Sequence, residues 1–336
     1  MSHSREELIS RTLPYMVLSD ASNPLTASIP EDPSLIPSSR AIERFSVKGN
    51  AIGFYFNQPS PYETNSCYLV TGGAGALGIE SARALLEHGL SGLCLFDVTG
   101  SLNSSQVAIN NLRADFPSSK IFTENVDVTD DQAIDSAVQR TVQSFGKIDV
   151  LLCFAGVVGC THATEVNKDE WRRILDINTT GSWLCAQAVG KQMIQQASGG
   201  SIVFTASISA HRVNYPQPQV AYNVSKGALL QLKSSLAAEW ARYGIRVNSI
   251  SPGYMDTILN AGEGLEGTRH IWAARNPMGR MGDPSELVGA VILLCSPAGR
   301  YINGADILVD GMWRINRILN SVLDGPRYPG EKAEIN

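Results

Sequence analysis

The feature that most constrains this chain is a glycine cluster, Thr71-Gly72-Gly73-Ala74-Gly75-Ala76-Leu77-Gly78, placed directly behind a short apolar run, Cys67–Thr71. Glycine tolerates positive φ and close backbone approach, so the cluster marks a sharp turn from strand to helix. Behind it, Gly78–His88 carries Ile79, Ala82, Leu85 and Leu86 at helical spacing, with Gly89 where a C-cap would stand. A helix entered in this way aims unpaired N–H groups and a positive dipole end at the turn, which suits a pyrophosphate. An ordinary glycine-rich strand–helix turn has the same composition, and the cluster alone does not separate the two.

The alternation continues down the chain. Strands are predicted at Cys67–Thr71, Leu93–Asp97, Lys120–Asn125, Val150–Phe154, Ser201–Thr205, Arg246–Ser251 and Asp306–Val309, with helical stretches between them. Ser225–Tyr243, with Leu229, Leu232, Leu236 and Ala237, is the most evident helix, and Gly244 follows it as a C-cap. Apolar strands alternating with helices imply an α/β chain with a doubly wound parallel sheet, whose ligands bind outside the carboxyl ends of the strands. The expected organisation is a single domain over 61–320, preceded by a proline-punctuated arm over 1–60 and followed by a tail over 321–336.

Composition excludes several classes. Hydrophobic residues make up 43% and charged residues 18%, which is far from a disordered chain. The net charge of −5 comes without any Lys/Arg block, so neither nucleic acid nor an anionic membrane surface is expected as a partner. No apolar run reaches membrane-spanning length. Cys67, Cys94, Cys153, Cys160, Cys185 and Cys295 form no C-x-x-C pair and read as reduced thiols of a cytoplasmic protein. The five histidines show no zinc spacing, and no metal is expected.

Asp97 ends the second strand about twenty residues beyond the glycine cluster, where a carboxylate can accept hydrogen bonds from the ribose hydroxyls of an adenosine. No Arg or Lys occupies Val98, Thr99 or the turn, so the preference expected is NAD, with NADP possible. Further on, Tyr222 and Lys226 stand four residues apart at the start of an amphipathic helix and therefore share a face. A free phenol has a pKa of about 10 and is a poor acid–base near neutrality; a neighbouring ammonium favours the phenolate. Tyr328 and Lys332 have the same spacing, but Pro329 and Gly330 between them prevent a helix. Ser207 and Ser209 follow the Ile202–Thr205 strand at the sheet's carboxyl edge, where a hydroxyl can polarise a carbonyl.

With these residues assembled, the chain from about Cys67 to Trp313 resembles the short-chain dehydrogenase/reductase family. Thr71–Gly78 resembles its T-G-x-x-x-G-x-G turn, Asp127-Val128 the dipeptide beside the adenine, and Ala155-Gly156 the end of its N-N-A-G strand. Asn178, Ser207, Tyr222 and Lys226 match its catalytic tetrad. Pro252-Gly253-Tyr254-Met255-Asp256-Thr257 matches the segment that meets the nicotinamide, and Arg280–Leu287 and Val309-Asp310-Gly311 match the closing segments. Pro216-Gln217-Pro218-Gln219 and Ala238-Glu239-Trp240 look like its polyol branch, which contains the arabinitol dehydrogenases.

The resemblance implies a Rossmann fold and reversible hydride transfer between a small-molecule secondary alcohol and its ketone, with a polyol or sugar as substrate. A ketoreductase of secondary metabolism, a catalytically silent cofactor-binding regulator and a cofactor-independent enzyme are the rivals. It implies that Tyr222 exchanges the proton, Lys226 lowers its pKa and holds the nicotinamide ribose, Ser207 orients the carbonyl, and Asn178 positions a water. Cofactor contacts are implied for Thr71, Gly72, Gly75, Leu77, Gly78, Asp97, Asp127, Val128, Ala155, Gly156, Pro252, Gly253, Met255 and Thr257, besides Tyr222 and Lys226. A homotetramer and a substrate lid over 254–277 are also implied. Three departures stand out: Ala76 for the middle glycine, Cys153-Phe154 for two asparagines, and an intervening segment, Gly53–Leu69, that reads as an insertion or a read-through intron.

Overall fold

The computed structural model describes residues 66–213, 217–257 and 266–312. The arm over 1–60, most of the Gly53–Leu69 segment, part of the lid and the 321–336 tail lie outside the described residues. Seven strands form one all-parallel sheet in the order β3-β2-β1-β4-β5-β6-β7. They are β1 (Cys67–Thr71), β2 (Gly92–Asp97), β3 (Lys120–Asn125), β4 (Val150–Cys153), β5 (Gly200–Thr205), β6 (Ile245–Pro252) and β7 (Asp306–Val309). The helices are α1 (Ala76–Glu87), α2 (Thr99–Ser104), α3 (Gln106–Asp115), α4 (Asp131–Phe145), α5 (Lys168–Leu175), α6 (Ser182–Gln196), α7 (Val220–Trp240), α8 (Glu266–Ala274) and α9 (Val288–Cys295).

Parallel strands covered on both faces need apolar side chains on both, and the inner strands supply them: every residue of β1 and β4 is buried. One apolar layer joins the sheet to α4, α6 and α7 through Val138, Val189 and Leu236. The opposite layer joins it to α1, α3 and α9 through Leu85, Ile109 and Val291. Strand order reverses at β1, which lies between β2 and β4, so the crevice for a ligand opens at their carboxyl ends.

The seven expected strands are all present, three of them with identical bounds. Gly89 and Gly244 have φ of 92° and 71°, the left-handed geometry their cap role requires. Of the boundaries that differ, two bear on the site. Strand β4 stops at Cys153, and α7 begins at Val220 instead of Ser225, which places Tyr222 inside the helix's first turn.

The outer strand β7 is attached differently from the inner ones. None of its four residues is fully buried. Side chains pin it and its lead-in: Lys233 Nζ donates to Gly304 O at 2.6 Å, and Asn248 Oδ1 accepts from Ala305 N at 2.9 Å. Asn303 Oδ1 accepts from Val247 N at 2.9 Å, and Arg246 Nη1 donates to Ile302 O at 3.1 Å.

Candidate active site

At the glycine turn the backbone itself is the structure. Gly72 has φ of 65°, and a Cβ there would lie 2.5 Å from Ala155 N and 2.6 Å from Phe154 C. A Cβ on Gly78 would lie 2.4 Å from Gly72 O. Gly75 is the exposed N-cap of α1, and neither a side-chain cap nor an acidic residue occupies the first turn. The N–H groups of that turn are thus open to an anionic ligand, and the fit to a dinucleotide pyrophosphate is good. Leu77 is half-buried and Thr71 is buried at the end of β1, where its side chain bonds the Cys153 thiol across the β1–β4 pair. Ala76 in place of a glycine meets no obstacle, because the position is exposed.

Asp97 ends β2 as expected, but its carboxylate is already engaged. Oδ2 accepts from Ala74 N at 3.1 Å and Oδ1 from Val98 N at 2.9 Å, so the side chain ties the glycine turn to the strand end. Asp127 is exposed and turned onto Thr129, accepting from its N–H at 2.9 Å and its hydroxyl at 2.8 Å. Val128 is buried against Gly181.

The second half of the site is built around α7. Lys226 is 5% exposed and donates from Nζ to Thr205 O at 2.7 Å. Burial lowers its pKa to about 8. Its ammonium lies 5.7 Å from the Tyr222 ring centre, one helical turn away. Burial pushes the Tyr222 phenol above its ordinary range, and a hydrogen bond with Ser207 offsets part of that. The expected depression of the phenol by Lys226 is therefore not what dominates here; desolvation acts against the charged form of both groups.

Ser207 is thus bonded to the Tyr222 phenol. Ser207 caps the single 3₁₀ turn Ile208–Ala210, its Oγ accepting from Ser209 N at 3.1 Å, and the two hydroxyls are 3.2 Å apart.

Asn178 sits in a π-turn, Asp176–Gly181, between α5 and α6. Its amide is fully buried and clamps the loop after β4: Oδ1 accepts from Val157 N at 2.8 Å and Nδ2 donates to Val157 O at 2.9 Å. Nδ2 also donates to Ser225 Oγ at 3.0 Å, and Ser225 Oγ donates to Tyr222 O at 2.8 Å. Ser225 thus joins Asn178 to the turn that carries Tyr222. The sequence reading missed it, although its spacing of three from Tyr222 places it on the same helical side. Gly156 completes this corner: a Cβ there would lie 3.3 Å from Asn178 Oδ1 and 3.5 Å from Lys226 Nζ, and Ala155 lies beside the turn at Gly72.

Pro252 ends β6, and Gly253 abuts Asp310, where a Cβ would lie 2.8 Å from Asp310 Cα. Met255 is 4% exposed and bridges to Gly282, while Thr257 N donates to Met255 O at 2.9 Å. The described part of the segment expected as a lid is held here by side-chain contacts. Tyr254 stacks on Trp272 of α8 with ring centres 4.2 Å apart and donates to Gln217 Oε1. Of the free cysteines, Cys160 is exposed and the other five are buried. Among the described residues no helix is long and apolar enough to cross a membrane.

Comparison with known proteins places this geometry. Residues 72–311 match the family model described as Enoyl-(Acyl carrier protein) reductase. The NADP-dependent mannitol dehydrogenase of Hypocrea jecorina is 34% identical over 282 residues, covering 83% of this chain and 98% of the relative. The ribulose-forming D-arabinitol 2-dehydrogenase of Candida tropicalis is 34% identical, covering 72% of this chain and 90% of its own. Among solved structures, a short-chain type dehydrogenase/reductase from Mycobacterium marinum has a TM-score of 0.68 at 33% identity, covering 74% of this chain and 95% of that one.

These relatives overturn the expectation of NAD. The Hypocrea jecorina enzyme is described as NADP-dependent, as are mannitol dehydrogenases from Yarrowia lipolytica and Alternaria alternata among the relatives. The expectation assigned the Asp97 carboxylate to the ribose; in the structure each of its oxygens accepts one backbone N–H, which orients it onto the glycine turn. A glycine turn fitted to a pyrophosphate, four tetrad side chains gathered around α7 and relatives matched along most of their length lead to one assignment: the chain belongs to the short-chain dehydrogenase/reductase family.

Proposed function

We propose that this chain is a polyol dehydrogenase that interconverts a secondary alcohol and its ketone with NADP(H). The observation that carries the reading is the hydrogen-bonded Ser207–Tyr222 pair beside buried Lys226, at the mouth of a turn shaped for a pyrophosphate. Mannitol and arabinitol dehydrogenases among the relatives support the substrate class and the cofactor. The cofactor supplies the hydride donor or acceptor. Thr71, Gly72, Gly75, Leu77 and Gly78 hold its pyrophosphate, while Asp127, Val128, Ala155, Gly156, Pro252, Gly253, Met255 and Thr257 line its adenine and nicotinamide ends.

Tyr222 exchanges the proton with the substrate oxygen. A phenol held up by burial stays protonated near neutrality, which suits donation in the reductive direction. Ser207, already bonded to that phenol, orients the carbonyl. Lys226 holds the ribose, and Asn178 keeps the loop after β4 in place beside it. Trp183 and Val224, 39% and 45% exposed on α6 and α7, support a tetramer assembled through those helices. Five buried free thiols fit a reducing cytoplasm.

Steady-state turnover of Tyr222→Phe tests the reading. Activity on mannitol or arabinitol should fall ~10²–10⁴-fold with NADPH binding retained. More than about a tenth of wild-type turnover would overturn the role of Tyr222, because no general acid would then have been lost. Preference for bulky cyclic ketones over every polyol would overturn the substrate class.

A further inference from the structure

We propose that His211 and Asp306 form a positioning pair that holds the serine turn, and through it Ser207, against the substrate oxygen; the proposal rests on the reading of Ser207 and Tyr222 given above. The turn that presents Ser207 is weak by itself. It is a single 3₁₀ turn, Ile208–Ala210, closed by Ala210 N to Ser207 O at 2.9 Å and His211 N to Ile208 O at 3.0 Å. So short a turn has poor hydrogen-bond geometry and little cooperativity to fix its own direction.

Its far end is bolted down from outside. His211 Nε2 lies 2.9 Å from Asp306 Oδ2 and 3.1 Å from Ser251 Oγ. The other carboxylate oxygen, Oδ1, accepts from Ser249 Oγ at 2.5 Å and from Ser251 Oγ at 2.9 Å. Asp306 therefore receives three donors and needs no Lys or Arg to satisfy it. With both serine hydroxyls donating to the carboxylate, the proton on Nε2 is the group left to donate to Oδ2.

The environment gives the bond weight. Ser249 and Ser251 are fully buried, the Asp306 side chain is 11% exposed and the His211 side chain 24%. The two partners are 95 residues apart in sequence, so their bond ties the turn after β5 directly to the pinned edge strand β7. A serine, a histidine and an aspartate in contact also suggest a hydrolytic triad. That reading fails on geometry: Ser251 is inaccessible, it donates to the aspartate itself, and it and Asp306 meet the same imidazole nitrogen.

The test uses the full chain, mannitol or arabinitol as substrate, NADP for turnover, and NADPH binding followed by fluorescence. Misplacement of a catalytic group by about 1 Å costs up to ~10²-fold, so His211→Ala should lower kcat by about 10- to 100-fold with KM for the polyol and Kd for NADPH nearly unchanged. His211→Gln, whose amide N–H can still reach Asp306, should recover most of that loss. Asp306→Asn, close to isosteric, should show an intermediate loss and serves if His211→Ala does not fold. Wild-type kcat in His211→Ala while Tyr222→Phe is dead would overturn the positioning pair alone. Joint loss of kcat and NADPH binding without rescue by His211→Gln would reduce the pair to general stability and overturn it too. Full activity in Tyr222→Phe would overturn the underlying reading and the pair with it.

Discussion

Strand β1 sits inside the sheet with all five residues buried, whereas β7 sits at its edge with none of its four fully buried. The centre is held by shape: Leu152, Leu151 and Phe204 pack without exposure, and glycines let backbone meet backbone. The edge is held by directed bonds from Lys233, Arg246, Asn248, Asn303 and the Asp306 cluster. The difference explains a departure from the family pattern. Cys153 and Phe154 stand where two asparagines are usual, and the centre absorbs them because the buried thiol packs among apolar neighbours and bonds Thr71. At the edge, where each polar side chain has a named partner, a comparable exchange would strand that partner.

The largest break should come from truncation at the centre. Leu152→Ala should cost about 2–5 kcal/mol of unfolding free energy in urea titrations, through lost transfer energy and a residual cavity. The matching Ile307→Ala on partly buried β7 should cost no more than about 1–2 kcal/mol. Equal losses would erase the contrast.

The next concerns the ammonium buried in the central half. Lys226 titrates near 8 in the folded chain, below its ordinary 10.5, because burial penalises the charge. The unfolded chain therefore holds the extra proton between those values, and stability from this group rises with pH across that window, being lowest below pH 8. The full swing is on the order of 3 kcal/mol. Melting curves of wild type and Lys226→Met at pH 7 and pH 10 check it: wild type should gain on the variant as pH rises. A constant difference would show that the charge is not penalised.

The smallest effect belongs to the edge. Asp306→Ala should cost about 1–3 kcal/mol by leaving two buried serine hydroxyls without their acceptor. Adding Ser249→Ala and Ser251→Ala should return part of that stability, since removing both sides of a buried bond is cheaper than removing one. No recovery in the triple variant would mean that the edge is held by something other than these bonds.

The same contrast separates what was legible in the sequence from what was not. Strands β1, β3 and β7 could be bounded from local pattern alone, and the glycine turn and the Tyr222–Lys226 face follow from spacing. Ser207 could be preferred to Ser209 for its place nearer the strand end, but its bond to a phenol fifteen positions away leaves no local trace. Asp97 shows the limit most plainly. Its type and place matched expectation, but where its lone pairs point depends on Ala74, whose position only the folded turn defines. The His211–Asp306 bond spans 95 residues and leaves no periodic trace. Ser225 was recoverable from its spacing to Tyr222, whereas its partner Asn178 lies 47 positions away.

The π-turn at Asp176–Gly181 carries a consequence for how this chain tolerates insertions and deletions. Such a turn amounts to one surplus residue within an otherwise α-helical run, and one residue of α-helix is worth about 100° of rotation. Everything downstream is indexed to that surplus. A second surplus residue there, which the turn could not absorb, would turn α6 by one position, moving Ser182, now 6% exposed, into the slot of Trp183, which is 39% exposed. It would also withdraw the clamp that Asn178 places on Val157. A length change is therefore better tolerated almost anywhere on the exposed loops than in these six positions, where the count of residues, more than their identity, aims both a helix and a catalytic corner.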